Sequence, residues 1–169
     1  MFDFKPDPDL DPSELYRQLA EAADALTADE PDPVANMANV AALLWEFMSD
    51  LNWAGFYRVG EAKTGQDGAA KELVLGPFVG RPACIRIPLG VGVCGAAAKE
   101  GTTQLVEDVH AFPGHIACDA ASQSELVVPV MRNGQVIAVI DLDSPSPARF
   151  TKADARGVEQ LAALLSARI

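Results

Sequence analysis

The sequence predicts an α+β fold in which helices from both ends of the chain cover one face of a mostly antiparallel sheet. Helix start signals precede amphipathic stretches near both termini, and the residues between them are typical of short strands separated by turns. Two of these strands are joined by Asn133-Gly134, a strong signal for a tight antiparallel hairpin. With 169 residues, we expect a single domain spanning 1–169, with residues 1–10 as a flexible N-terminal segment.

Two helices are predicted at the start of the chain. Asp11-Pro12-Ser13-Glu14 supplies an N-cap, a first-turn proline and an acidic residue, and this helix should run to about Thr27. Asp32-Pro33 repeats the start signal, and Trp45 on this second helix is expected in the core. The inner face of the second helix carries Val40, Leu43, Leu44 and Phe47.

The central part of the chain predicts six strands, a short helix and a long loop. A tight glycine-rich turn is expected over Gly90–Gly95, followed by a helix over Ala96–Glu100. Glu107–Gln123 shows no clear period, and a loop of this length in a small domain is usually functional or disordered. Thr151, with Asp154 three residues later, predicts the final helix. The predicted strands are Trp53–Val59, Glu72–Val79, Cys84–Ile87, Thr102–Val106, Leu126–Met131 and Gln135–Leu142.

The composition excludes several classes of function. The chain has 13 Lys and Arg against 24 Asp and Glu, a net charge of −11, so we expect no nucleic-acid binding and no docking on an anionic membrane. No apolar run approaches the ~18 residues of a membrane span. The N-terminal stretch has neither a cationic start nor an apolar run, so we expect no secretory signal and a cytoplasmic location.

Three cysteines, Cys84, Cys94 and Cys118, are too few for a disulfide-stapled secreted domain. Cys118 lies in a polar, aperiodic loop, which favours an accessible thiol, although spacing alone leaves buried packing and redox chemistry equally open. A zinc site combining Cys94 and Cys118 with His110 and His115 fits no known ligand spacing. We therefore predict no metal.

Acidic and aromatic residues form two further patterns. Asp141 and Asp143 end an apolar strand and share a face, where like charges are costly unless a cation such as an ammonium arrives. Glu125 opens the neighbouring strand and could join them, whereas a turn start is the alternative interpretation of the two aspartates. Trp53 and Tyr57 also share a face, which would suit an aromatic wall of a pocket, with core packing as the alternative.

Several segments together carry a family resemblance. They are NWAGFY at 52–57, LVLGPFVGRPAC at 73–84, IPLGVGVCG at 87–95, EDVHAFPGHIACDAASQSE at 107–125 and IDLDSP at 140–145. In these segments the chain resembles the free methionine-(R)-sulfoxide reductase family, enzymes built on a GAF domain. The resemblance implies a GAF-like fold and reduction of free L-methionine (R)-sulfoxide to L-methionine.

The resemblance also implies roles for the cysteines. Cys118 would attack the sulfoxide sulfur and become a sulfenic acid, and Cys84 would resolve it as a disulfide. Cys94 would be a secondary or alternative resolving thiol. Thioredoxin would then reduce the disulfide, with no bound cofactor.

By the same resemblance, three carboxylates would bind the substrate amine, and one of them would stay protonated to help the sulfoxide oxygen leave. Two aromatic residues would form one wall of the pocket. These residues are Glu125, Asp141, Asp143, Trp53 and Tyr57. The alternative function is a non-catalytic GAF sensory module that binds a small amino compound. The fold is also compatible with a homodimer, which the sequence pattern does not establish.

Overall fold

The computed structural model describes residue 6 and residues 10–63, 70–114 and 120–169. The predicted flexible segment over residues 1–10 lies almost entirely outside the described residues, as do His115 and Cys118. A 3-10 turn, Val109–Ala111, interrupts the predicted long loop. The helices and strands are α1 (Pro12–Thr27), α2 (Pro33–Phe47), β1 (Trp53–Glu61), β2 (Lys71–Gly80), β3 (Arg86–Pro88), α3 (Gly92–Glu100), β4 (Gln104–Val106), β5 (Ser124–Arg132), β6 (Gln135–Ser144) and α4 (Lys152–Leu165).

The six strands form one antiparallel sheet in the order β3-β2-β1-β6-β5-β4. The α+β prediction is therefore confirmed. Asn133 and Gly134 both have positive φ, 50° and 75°, as the predicted two-residue hairpin between β5 and β6 requires. The strands β3 and β4 at the two edges have three residues each.

The helices α1, α2 and α4 cover one face of the sheet, as predicted. Asp11 and Asp32 cap α1 and α2 through their side chains, and Thr151 and Asp154 form a capping box on α4. The helices α1 and α4 approach so closely that a Cβ on Gly157 would lie 2.1 Å from the ring of Tyr16. The Tyr16 hydroxyl donates a hydrogen bond to Asp154 at 2.6 Å, which ties the two helices together.

The position of Trp45 differs from the prediction. This side chain is 38% exposed, because it lies beside rather than within the inner stripe of α2. The stripe itself is confirmed, since Val40, Leu43, Leu44 and Phe47 are all buried.

The helix α3 packs on the opposite face of the sheet and begins earlier than predicted. The chain turns into it at Gly92, where φ is +65°, so the expected glycine-rich turn over Gly90–Gly95 is partly helical. The Gly90 N–H donates to the Gly95 carbonyl at 2.7 Å, and a Cβ on Gly95 would lie 2.5 Å from the Pro88 carbonyl. These glycines therefore let α3 pack closely on the end of β3, and this buries Cys94 in its first turn.

Candidate active site

The three predicted carboxylates lie on the α3 face of the sheet. Glu125 on β5 and Trp53 on β1 both stand opposite Asp143 on β6, so the three residues form one row across three strands. Asp141 lies on the same face one row further, between Val127 and Gly55. Glu125 and Asp141 are only 7% and 6% exposed, so this face carries buried acids.

The burial of these acids changes their protonation. Burial raises the pKa of Asp141 to about 6. Burial, followed by the charges of Asp141 and Asp143, raises the pKa of Glu125 well above its ordinary range. The cluster therefore retains protons at pH values at which exposed carboxyl groups have lost theirs. Among the described residues, Asp141 Oδ1 is a buried acceptor with no hydrogen-bond partner, a position that a ligand N–H would satisfy.

Cys94 lies directly beside the acids. It is 4% exposed, and its thiol donates to Glu125 Oε1 across 3.9 Å. Burial, and then the charges of Asp141 and Glu125, raises the pKa of the Cys94 thiol well above its ordinary value, so it is not a thiolate near neutral pH. One ligand atom from each of Cys94, Glu125 and Asp141 lies within 4.8 Å of the others, a spacing suited to holding a small cation or an ammonium group.

An aromatic wall flanks the acids. The Trp53 ring stacks on Tyr57, with centroids 5.8 Å apart, and on Phe78, with centroids 5.2 Å apart. The Trp53 indole N–H donates to the Arg81 carbonyl at 3.1 Å. The sequence did not predict Phe78, whose position depends on a close approach to Gly55 on the paired strand, where a Cβ would lie 2.4 Å from the Phe78 Cβ.

A narrow pocket opens between these groups, and its free volume in this structure is about 10 Å³, room for about one water molecule. Cys84, whose thiol is free, comes directly after Ala83, which lines the pocket. The predicted strand began at Cys84, but in the structure Cys84 is half-buried in the segment before β3. Glu125 lies behind this lining, against Cys94. The lining residues are Trp53, Tyr57, Arg81, Pro82, Ala83, Asp141 and Asp143.

The structure thus brings the predicted carboxylates and aromatic residues to one region of the sheet. Cys94 joins the acids, and the segment that carries Cys84 lines the pocket. The remaining predicted site residue, Cys118, lies outside the described residues, so its role stays a prediction. His110 is exposed in the 3-10 turn.

Comparison with known proteins identifies the fold and the family. The model of the GAF domain family matches residues 35–169. The chain is 47% identical to free methionine-R-sulfoxide reductase from Escherichia coli, covering 92% of this chain and 89% of that protein. It matches the structure of a putative GAF sensor protein from Burkholderia vietnamiensis with 52% identity and a TM-score of 0.84, covering 94% and 96% of the two chains. It also matches free methionine-R-sulfoxide reductase from Neisseria meningitidis, solved in complex with its substrate, with 43% identity and a TM-score of 0.86, covering 99% and 94%.

The sheet, the helices on its two faces and the family match define a GAF-domain protein. Within that class, the chain belongs to the free methionine-R-sulfoxide reductase family, and it is an enzyme. The resemblance found in the sequence motifs is thereby confirmed. No helix within the described part of the chain has both the length and the hydrophobicity needed to cross a bilayer.

Proposed function

We propose that the protein reduces free L-methionine (R)-sulfoxide to L-methionine in the cytoplasm, using its own cysteines as the immediate reductant and no bound cofactor. The observation that carries the proposal is the buried pair Glu125 and Asp141 beside the stacked rings of Trp53 and Tyr57. An α-ammonium group supplies a positive charge and three N–H donors, which buried acids and the Asp141 Oδ1 acceptor require. The similarity to a reductase solved with its substrate gives further support.

The acids also account for a preference for the free amino acid. In a peptide, the methionine nitrogen is an uncharged amide, so Glu125, Asp141 and Asp143 would lose their cationic partner on binding it. Leaving buried acceptors without a partner costs about 1–3 kcal/mol each, and more for charged groups. We therefore expect N-acetylated methionine sulfoxide to be a poor substrate.

In the proposed reaction, the Cys118 thiolate attacks the sulfoxide sulfur. The sulfoxide oxygen takes a proton from a protonated carboxyl as the bond between the two sulfur atoms forms. The resulting hydroxyl then passes to the Cys118 sulfur, the sulfur–oxygen bond of the substrate and the transient sulfur–sulfur bond break, the thioether leaves, and Cys118 is a sulfenic acid. The pKa of Glu125, raised well above its ordinary range, supports such a proton source at neutral pH, whereas Asp141, with a pKa of about 6, is mostly ionised there. The sulfoxide is reduced by two electrons and the Cys118 sulfur is oxidised by two.

Cys84 would then resolve the sulfenic acid, releasing water and forming the Cys84–Cys118 disulfide. Cys84 is half-buried and carries a free thiol, which supports this role. Cys94 is the alternative resolving thiol, but its burial and its raised pKa make a thiolate there costly. Thioredoxin would return the disulfide to two thiols. The homodimer stays a prediction.

The test uses the purified protein with thioredoxin, thioredoxin reductase and NADPH, and supplies the R and S epimers of free methionine sulfoxide separately. We expect turnover of the R epimer only, poor turnover of the N-acetylated R epimer, and loss of two thiols per chain when substrate is added without a reductant. Cys118→Ser should abolish turnover while methionine still binds, whereas the matched Cys94→Ser should keep multiple turnover.

Three results would contradict this proposal. Binding of methionine or its sulfoxide without any turnover would favour the sensory module. Sustained turnover by Cys118→Ser would reject the thiol mechanism, and equal rates on the free and N-acetylated substrates would reject the role of the carboxylates.

A further inference from the structure

The side chain of Ile85 stands out on the surface. It is 72% exposed, the highest value for a large hydrophobic side chain in the described part of the chain. It also follows Cys84 directly in the sequence. Isolated apolar residues on a surface are common and need no explanation. An exposed isoleucine next to a half-buried thiol that must exchange disulfides is different, because a partner protein has to reach that sulfur.

The backbone around Cys84 is held in place at both ends of the segment. The Arg81 carbonyl accepts from the Trp53 indole, and the Ile85 carbonyl accepts from the Leu75 N–H at 3.0 Å. The strand β3 follows at once, and it is an edge strand, paired with β2 on one side only within the described part of the chain. An edge strand offers its free backbone groups to an extended segment of another protein.

The segment around Ile85 is poor in acids, although the chain has a net charge of −11. No Asp or Glu occurs between Glu72 and Glu100, whereas Arg81, Arg86 and Lys99 lie in that interval. Arg86 forms an ion pair with Glu72 and Arg81 lines the pocket beside Asp141 and Asp143, so the exposed Lys99 is the cation that matters for a partner. Lys99 lies across Gly90, where a Cβ would meet its side chain at 2.7 Å, so it stays near the end of β3. Because the segment itself holds no acid and Lys99 lies beside it, an acidic partner meets less repulsion here than at the acid-rich parts of the chain.

From these three observations we infer that Arg81–Pro88 is the docking surface for an acidic dithiol protein of the thioredoxin class, with Ile85 as its apolar anchor. The inference rests on the proposed function, because only an enzyme that forms a disulfide at Cys84 needs such a partner. A small dithiol such as dithiothreitol can reduce the same bond without this surface.

The exchange balances with the two thiols of the partner. Its first thiolate attacks Cys84 Sγ, the bond to Cys118 breaks, and Cys118 leaves as a thiolate that takes up a proton. The partner's second thiol then attacks the mixed disulfide and releases Cys84 as a thiol. The enzyme gains two electrons and two protons, and the partner leaves as a disulfide.

The test compares Ile85→Ser with Val34→Ser, a matched change at another exposed apolar residue, 48% exposed at the start of α2. Each variant is assayed with thioredoxin and, separately, with dithiothreitol. For Ile85→Ser we expect the KM for thioredoxin to rise roughly tenfold, as for a moderate interface anchor, with unchanged turnover on dithiothreitol and an unchanged KM for methionine sulfoxide. Val34→Ser should match the unsubstituted protein in both assays.

A second pair of variants tests the charge. Lys99→Glu should raise the KM for thioredoxin severalfold at low ionic strength, with a smaller effect at high salt, whereas Lys152→Glu on α4 should not. An unchanged KM for thioredoxin in Ile85→Ser would overturn the docking surface. A parallel loss with dithiothreitol would overturn it too, since Ile85 would then act on Cys84 itself. Absence of turnover by the unsubstituted protein with either reductant would instead refute the proposed function.

Discussion

The two faces of the central sheet are built from the same strands but differ in chemistry. On the face covered by α1, α2 and α4, side chains such as Phe56 and Leu142 are fully buried in an apolar core. On the α3 face, Asp141 is buried one residue away from Leu142, beside Glu125 and Cys94. Because successive strand residues point to opposite faces, stability and chemistry are separated within a single strand.

This comparison shows which face stabilises the fold. Burying apolar side chains is favourable, whereas burying ionised acids without a cation is unfavourable. Substitutions at Leu142 and Asp141, two neighbouring positions of β6, should therefore change the free energy of unfolding in opposite directions near neutral pH.

The largest expected effect is on the helix-covered face. Leu142 lies between Ala54 and Leu126 in the sheet and is completely buried. Leu142→Ala should lower the free energy of unfolding by about 2–5 kcal/mol, since it leaves a cavity. Chemical denaturation measures this loss. The kcat/KM of the folded fraction should stay close to that of the unsubstituted protein, and a hundredfold fall in it would show that the two faces are not independent.

The next prediction concerns Asp141 on the other face. Its pKa rises from 3.8 to about 6 on burial, so the folded protein keeps this proton in a pH range in which the unfolded chain has released it. Stability from this group is present below about pH 4 and is lost as the pH rises through 6, by at most about 3 kcal/mol. Asp141→Asn removes the ionisation, so this variant should become more stable than the unsubstituted protein as the pH rises from 4 to 7.

The measurement is urea denaturation of both proteins across this range, because the difference between them cancels the groups away from this site and reports Asp141 together with Glu125, whose pKa the Asp141 charge raises. A constant difference from pH 4 to 7 would contradict the raised pKa. If the proposed function holds, Asp141→Asn should also lose substrate affinity while gaining stability, the reverse of Leu142→Ala.

The smallest expected effect separates two roles of one aromatic residue. Trp53→Phe keeps a ring to stack on Tyr57 and Phe78 but removes the hydrogen bond to the Arg81 carbonyl. We expect a loss of about 1 kcal/mol in stability and a severalfold faster reaction of the Cys84 thiol with a thiol reagent, because the preceding segment is held less firmly. The same change at the exposed Trp45 is the control and should alter neither quantity. Unchanged Cys84 reactivity in Trp53→Phe would show that this hydrogen bond does not restrain the segment.

Much of the fold could be predicted because its signals are local. Aspartate and threonine caps, first-turn prolines and the Asn133-Gly134 hairpin depend on residues close in the chain, and all were found where expected. The start of α3 was not found where expected, because its N-cap residue, Val91, makes no side-chain capping bond and its first turn contains Gly92 and Gly95. The helix forms there because it packs on the sheet, a long-range effect.

The site, too, has features that the local sequence predicts and features that depend on long-range packing. The spacing of Asp141 and Asp143 predicts that they share a face, and strand pairing brings Glu125 beside Asp143. The contact between Cys94 and Glu125 depends on how α3 crosses the sheet, and the position of Phe78 depends on its close approach to Gly55, so no local pattern predicts either.

The burial of Cys94 has a consequence for how long such a protein survives oxidants. Peroxides attack thiolates, and irreversible sulfinic and sulfonic acids form from sulfenic acids that stay exposed. Cys94 is 4% exposed and remains a neutral thiol beside two acids, so almost none of it is the thiolate that peroxide attacks. Of the two thiols that the structure describes, Cys94 beside the buried carboxylates is thus shielded from overoxidation, and the half-buried Cys84 is more open to such damage.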